Sequence, residues 1–353
     1  MGTTLKNINS LPVRTWRRLG VNGVTLDIEF PEACRFETKK PTLPAGVVHA
    51  HESVLVCAEF TSALNSELAA FTRVHSNAGV QIRIKKGTKA DEPIVARYDF
   101  NAENATLMDN NVIFAEANSE VTVVMIYRGE GAFHSGLMRV IAENCAVVKV
   151  VQINTLGTAA QHFTDFSAVV ANGARVELTR IELGAAAVYA GCHMKLEGDK
   201  SECAADTFYF GDGDRKLDFN YIAKHLGKSS CSDMNASGAL FGSCEKTYRG
   251  TIDFVAGASD SKGAELENTL LFSESSRNRS APLILCGEEN VEGSHAASVG
   301  RIDEGKLFYL QSRGISEAGA MRLMVSALME TAMKNVPEDE RAALRDYLEA
   351  RIV

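Results

Sequence analysis

Proline is missing from the whole stretch between Pro93 and Pro282. A proline cannot donate to a sheet ladder and is confined to edges and bulges, so this stretch reads as chain committed to central strands. No two of the eight cysteines (Cys34, Cys57, Cys145, Cys192, Cys203, Cys231, Cys244, Cys286) stand as Cys-x-x-Cys. That removes the local zinc knuckle and the thioredoxin-type motif, and most of these thiols are expected as small, reduced, buried residues. No apolar run approaches the roughly 20 residues that cross a bilayer. Residues 1–6 carry neither the apolar core of a secretion signal nor the Ser or Thr that a myristoylation motif needs where Lys6 stands. A cytoplasmic protein without membrane attachment is expected. Positive charge is also short: 37 Lys and Arg face 45 Asp and Glu, for a net charge of −8. The basic residues are scattered, which excludes the electrostatic footprint of a nucleic-acid binder.

Familiar catalytic and nucleotide motifs are absent too. Neither Gly-x-Ser-x-Gly nor His-Glu-x-x-His occurs. Leu226-Gly227-Lys228-Ser229 resembles the end of a phosphate-binding loop, but Ile222 stands where the earlier glycine is required. Gly211-Asp212-Gly213-Asp214 lacks the third glycine of a dinucleotide fingerprint and the spaced glutamate of a calcium loop, and reads as a surface turn. No nucleotide is expected on this chain, and it is not expected to be an enzyme.

What is present is a period. The segments 115–126, 141–153, 169–181 and 196–208 share a polar turn followed by alternating residues, with Asn118, Asn144, Asn172 and Asp199 at the turns, 26, 28 and 27 residues apart. Looser echoes follow at Lys228-Ser229-Ser230-Cys231 and Lys262-Gly263-Ala264-Glu265-Leu266. Asn, Asp and Gly suit such corners because they tolerate left-handed backbone or bond their own backbone. After each corner the apolar positions alternate and then slip by one, as in Val148, Val150, Ile153 and in Val176, Leu178, Ile181. That is strand periodicity. A unit near 27 residues is too short to close its own core and too short for a propeller blade, but stacked units bury a continuous one. A β-solenoid is expected.

The ends read differently, and three regions are expected: an N-terminal mixed or helical cap (1–75), a parallel β-helix core (76–302) and a C-terminal helical domain (303–353). In the first, residues 61–75 are predicted helical, with Leu64, Leu68 and Phe71 on one face. In the last, Ser316 caps a helix bearing Met321, Met324 or Val325, and Leu328. Pro337 ends it and opens a second helix with the stripe Leu344, Tyr347, Leu348, Ile352. This helical hairpin either protects the solenoid edge or docks a partner.

The densest polar cluster is at the end of the solenoid, where Cys286, Glu288, Glu289, Glu292 and His295 fall within ten residues. Thiolate, imidazole and carboxylate are the ligand types of iron and iron–sulfur clusters; on composition alone the same run reads as a solvated acidic turn with a structural histidine. Cys286 ends the apparent strand Pro282–Cys286 and is expected to be buried there. The solenoid acids Asp165, Glu177 and Glu182 form no sugar-cleaving group legible in the sequence.

Gly293-Ser294-His295-Ala296-Ala297-Ser298-Val299-Gly300-Arg301-Ile302, followed by Leu307-Phe308-Tyr309-Leu310-Gln311-Ser312-Arg313-Gly314-Ile315, resembles the C-terminal signature of the SufB/SufD family of iron–sulfur cluster assembly proteins. Val80–Gly87 with Glu92-Pro93-Ile94 is similar to the family's entry into its β-helix, so the resemblance spans roughly residues 75–335. It implies a mainly β fold, a right-handed parallel β-helix flanked by helical regions. It also implies a non-catalytic scaffold that pairs with a SufB-like subunit or a second copy of itself. Such a scaffold works with a SufC-like ABC ATPase docked on the C-terminal helices, the candidates here being Arg313, Gly314, Ile315, Met321, Met324 and Leu328. A transient iron–sulfur cluster, 4Fe-4S or 2Fe-2S, would form near the subunit interface. His295 matches the interface histidine of SufD-like members, whose usual cysteine two positions earlier is here Gly293. The remaining ligand candidates are Cys286, Glu289 and Glu292. A carbohydrate-active β-helix enzyme and a purely structural solenoid are the alternatives, the last predicting no iron and no effect of removing His295.

Overall fold

The computed structural model describes residues 2–15, 17–32, 34–50, 60–301 and 304–352. Cys57, Ile302 and the expected boundary between residues 302 and 303 lie outside the described residues. From Gln81 to Arg301 the chain winds as a parallel β-solenoid whose successive strands alternate between two sheets. Gln161–Val170 lies in parallel between Phe133–Ala142 and Ala187–Leu196 with unbroken register. Arg175–Glu182 lies likewise between Val147–Leu156 and Glu202–Gly211 in the other sheet. With eight strands in one sheet and nine in the other, the solenoid has about eight coils. The mainly β, parallel-solenoid class read from the period is the observed one. The ninth strand, Val47–His49, adds antiparallel to Gln81–Ile84.

The corners explain the period. Asn118, Cys145, Gly173, Lys200, Ser229 and Asp260 share a left-handed backbone with φ between 54° and 62°. Each hands its amide to a carbonyl of the next coil: Asn118 to Asn144 (3.0 Å), Cys145 to Asn172 (2.9 Å), Gly173 to Asp199 (2.9 Å) and Lys200 to Lys228 (2.8 Å). Asn118 is therefore one residue out of step with Asn144, Asn172 and Asp199, and the true corner spacings are 27, 28, 27, 29 and 31. Asn172 and Asp199 are not the left-handed residues. Their side chains instead accept the amide one coil on, Asn172 Oδ1 from Asp199 at 2.8 Å and Asp199 Oδ1 from Lys228 at 2.9 Å. The stretch Leu226–Ser229 is one of these corners, whereas Lys262–Leu266 falls inside the strand Ser261–Leu271, its corner being Asp260. Gly211–Asp214 is a turn whose Asp212 accepts from Arg215 and Arg351.

The slip in the apolar pattern is a change of face. Val148, Val150, Val176 and Leu178 point into the lumen, while Val151, Ile153 and Ile181 point out of the same sheet, into a second core beneath the C-terminal helices. Both faces of these strands are buried, and neither strand bulges there.

Two covers lie on the outer faces. The N-terminal residues Leu5, Ile8 and Ile28 and helix α1 (Ser66–Val74) pack on Met108, Phe133, Phe163 and Tyr189 of the nine-stranded sheet. The helix starts at Ser66 rather than at residue 61, because Asn65 is extended and its side chain caps the Leu68 amide. On the other sheet lie α3 (Glu317–Met333) and α4 (Glu338–Glu349), preceded by α2 (Glu304–Ser312), which packs on α3. Ser316 caps α3 as the sequence predicts. Val325, Met329, Met333, Leu344, Leu348 and Ile352 face the sheet. Helix α2 was not legible, because Leu307, Phe308, Tyr309 and Leu310 are consecutive rather than spaced at helical intervals. No helix among the described residues is long and apolar enough to cross a membrane.

Candidate functional site

Strand parity decides what the lumen contains, since alternate side chains of every coil point into it. Most of these are apolar; among the buried polar groups, which include His225 bonded to the Ser230 and Ser232 hydroxyls at 2.7 and 2.8 Å, two bring carboxylates together with basic side chains. The deeper one lies in the middle coils. His134 Nε2 meets Asp109 Oδ1 at 2.8 Å, and its Nδ1 meets His162 Nδ1 at 2.7 Å. His162 stands 3.8 Å from Glu182, which in turn lies 3.7 Å from Arg180. The Arg180 guanidinium also donates to Gln152 (2.9 Å) and to the Tyr221 hydroxyl (2.8 Å). All of these side chains are buried. Desolvation pushes His162 well below its ordinary pKa, with His134 and Arg180 adding to the effect. Desolvation also raises Glu182 to about 7 against the opposing pull of Arg180. The group is enclosed and densely bonded, so it can hold charge and protons but has no path to a bulky ligand.

The second group lies under the open end of the solenoid. Lys246 and Glu267 form a fully buried ion pair, with Lys246 over the rings of Tyr209 (5.2 Å) and Tyr248 (5.1 Å). Ser280 donates to Glu267 at 2.5 Å. A second carboxylate, Glu265, is buried beside them, in space left by Gly250: a Cβ there would sit 2.3 Å from the Glu265 carboxyl. Desolvation, then Glu267, raises Glu265 to about 7. Glu265 Oε2 and the Tyr248 hydroxyl are buried without a hydrogen-bond partner among the described residues.

Above them lies the last coil, built from Arg277–Cys286 and Val291–Arg301, one strand per sheet. A Cβ at Gly293 would meet Phe254 and Ile284 at 3.1 and 3.3 Å, so Gly293 faces the lumen. Two residues on, His295 faces the same way, as the register partner of Glu265. It is exposed, and its imidazole has no hydrogen-bond partner among the described residues.

The other predicted ligands are dispersed. Cys286 does end a strand, but it is exposed rather than buried, because among the described residues no further coil covers it, whereas the last coil covers Phe254, its register partner below. Its thiol donates to the Glu288 carbonyl at 3.1 Å. Glu292 has the opposite parity to His295 and pairs with Lys262 at 2.9 Å. Glu289 is exposed in the connecting turn, where its amide donates to Glu288 Oε1 at 3.0 Å. Among the described residues no three His, Cys, Asp or Glu side chains come together to hold a metal. Asp165 is paired with Arg139 and Glu177 with Arg175. Glu182 is sealed in the lumen. The three solenoid acids therefore form no exposed carboxylate pair.

Of the docking candidates, Met321 and Leu328 are half-buried against the solenoid core, and Met324 is half-buried. Gly314, at φ 84°, ends α2 with Ile315 N–H bonded to the Leu310 carbonyl at 3.1 Å, the left-handed cap glycine favours. Arg313 stacks over Tyr309 at 5.2 Å. The large apolar groups that these helices leave in solvent are Phe308 (72 % exposed), Tyr309 (56 %) and Leu323 (54 %), none of them among the docking candidates.

Residues 98–328, which contain nearly all of the coils and most of α3, match the SufBD core domain of SUF-system Fe–S cluster assembly. The chain belongs to the SufBD family. Among its SufBD relatives, the iron–sulfur cluster assembly protein SufD of Bacillus subtilis is 26 % identical over 286 residues, covering 78 % of this chain and 64 % of that protein. A SufBD family iron–sulfur cluster assembly protein of Mycobacterium leprae is 26 % identical over 278 residues, 77 % of this chain and 32 % of the relative. Another, of Mycobacterium tuberculosis, is 25 % identical over 286 residues, 77 % of this chain and 72 % of the relative. The chain thus spans about two thirds or less of the length of the first two.

Proposed function

We propose that this SufBD chain is a non-catalytic scaffold subunit on which a transient iron–sulfur cluster, 4Fe-4S or 2Fe-2S, is built in the cytoplasm. The observation that carries the reading is the uncovered last coil. Its edge strand Val291–Arg301 is solvent-exposed at nearly every position and presents His295 on its lumen side. Unpaired strand edges recruit another strand, and an imidazole at such an edge can share cargo iron with ligands from the chain that covers it. That chain is a SufB-like subunit or a second copy of this one. Cys286, Glu289 and Glu292 are weaker ligand candidates than His295: Glu292 is neutralised by Lys262, and Cys286 lies on the opposite sheet. A SufC-like ABC ATPase is assigned to the exposed face of α2 and α3 around Phe308, Tyr309, Leu323 and Arg313.

The test is an oxygen-free purification of the tagged chain from its own cytoplasm, with partners identified by mass spectrometry and iron and acid-labile sulfide assayed. An ABC ATPase and a chain covering the last coil are expected. Val299→Lys should release the covering chain, Phe308→Ala the ATPase, and His295→Ala should lower iron and sulfide with both partners retained. Purification with no ATPase from cells that express one would overturn the scaffold reading.

A further inference from the structure

We propose that Glu265 is a second ligand of this chain for a divalent transition-metal cation, taken up at the mouth of the lumen between Glu265 and His295. The inference rests on the cluster-assembly reading for the identity of that cation, iron(II), and on the geometry for everything else. The two residues are register partners on adjacent parallel strands and have the same parity, so their Cα atoms are about 5 Å apart and their side chains leave the sheet on one side. Carboxylate and imidazole are a ligand pair suited to iron(II) and its neighbours in the first transition row.

Charge and hydrogen bonding both single out Glu265. Lys246 is the one lysine or arginine bonded within this group, and it is already bound by Glu267. Glu267 is further bonded by Ser280 and Thr269, at 2.5 and 3.2 Å. Glu265, 5 % exposed, has a buried oxygen with no partner, and the hydroxyl of Tyr248, 0 % exposed, is likewise unpartnered beside it. Buried polar atoms of native proteins are rarely left unbonded, and a group of them without partners marks space for a water or an ion. Here the unmatched group is a carboxyl. The missing side chain of Gly250 makes the room that the Glu265 carboxyl occupies, and the solvent side is open because no further coil among the described residues follows His295. Two ligands leave several coordination positions vacant, to be filled by water or by the chain that covers the last coil. That is the arrangement expected of a loading site rather than a permanent store.

The probe is Co2+ alone, titrated into the full-length metal-free chain and followed by its visible d–d absorption. Saturable binding is expected, weakened at least tenfold by Glu265→Gln and by His295→Ala, with Glu267→Gln as the neighbouring-carboxylate control. Should Glu265→Gln fail to fold by circular dichroism, Glu265→Asp keeps the charge in the lumen with the carboxylate drawn back by one methylene, and the same loss is expected. Wild-type affinity in the Glu265 variant, with affinity lost in the His295 variant, overturns the inference and leaves the scaffold reading intact. Wild-type affinity in both overturns the inference and removes His295 as a ligand as well. Partner capture, which needs no metal, separates that outcome from failure of the scaffold reading itself.

Discussion

A middle coil and the last coil are built alike and end up in opposite environments. In the strand Gln161–Val170 eight of ten residues are buried, whereas in Val291–Arg301 none is. Each strand has a parallel neighbour in register below it, and only the first has one above. Burial in a solenoid is thus conferred by the next coil rather than by a residue's own character. The last strand also lacks the usual protections of an edge: it has no proline, and its centre runs Gly293-Ser294-His295-Ala296-Ala297-Ser298. The difference teaches that the exposure of the last strand follows from its place in the stack rather than from its composition.

Substitutions can break or sharpen that contrast. The largest effect is expected from Phe219→Ala, which empties a fully buried lumen position packed on Tyr209 and Tyr221 and should cost about 4 kcal/mol in urea unfolding. Next is a pH effect of the middle coils. Glu182 is raised to about 7 in the folded chain from 4.5, so the folded state holds the proton more tightly. Its stabilisation is complete below pH 4.5 and lost as pH rises through 7, a swing of up to about 3 kcal/mol. Glu182→Gln should remove that swing, seen as the difference between the two stability–pH curves. The difference must be taken because His193 and His225, lowered to about 4 by burial, act oppositely: their contribution is full above about pH 6.5 and lost as pH falls towards 4. In the last coil Val299→Ala should cost the isolated chain under about 0.5 kcal/mol, and a cost like that of Phe219 would mean the coil is already covered. Smallest is Lys262→Ala, which removes the exposed pair with Glu292 and should leave the urea midpoint unchanged.

Much of the fold was legible because repetition multiplies weak signals. One polar corner says little, but four at nearly equal spacing specify a stack. What escaped was the offset at Asn118, since asparagine serves two purposes in these corners, as the left-handed residue and as an acceptor for the next coil's amide. The change of face at Val151 and Ile181 was visible only as a slip, because a covering helix distant in sequence leaves no local mark. In the candidate site, His295 stood out through its neighbours, whereas Glu265 did not. Its importance depends on register across a 30-residue gap and on the missing side chain of Gly250. The pair His134 and His162 carried a usable signal, two histidines one period apart at lumen parity.

The returning C-terminal tail changes how the molecule must respond to force and to loss of its ends. Glu340 of α4 grips Arg97 in the first coils, and Arg351 grips Asp212 four coils nearer the open end. A plain stack of coils unravels from whichever end is loosest, one rung at a time. Here a pull on the tail is shared along the side of the stack rather than delivered to its final rung, so the exposed last coil can loosen while the rungs beneath it stay in place.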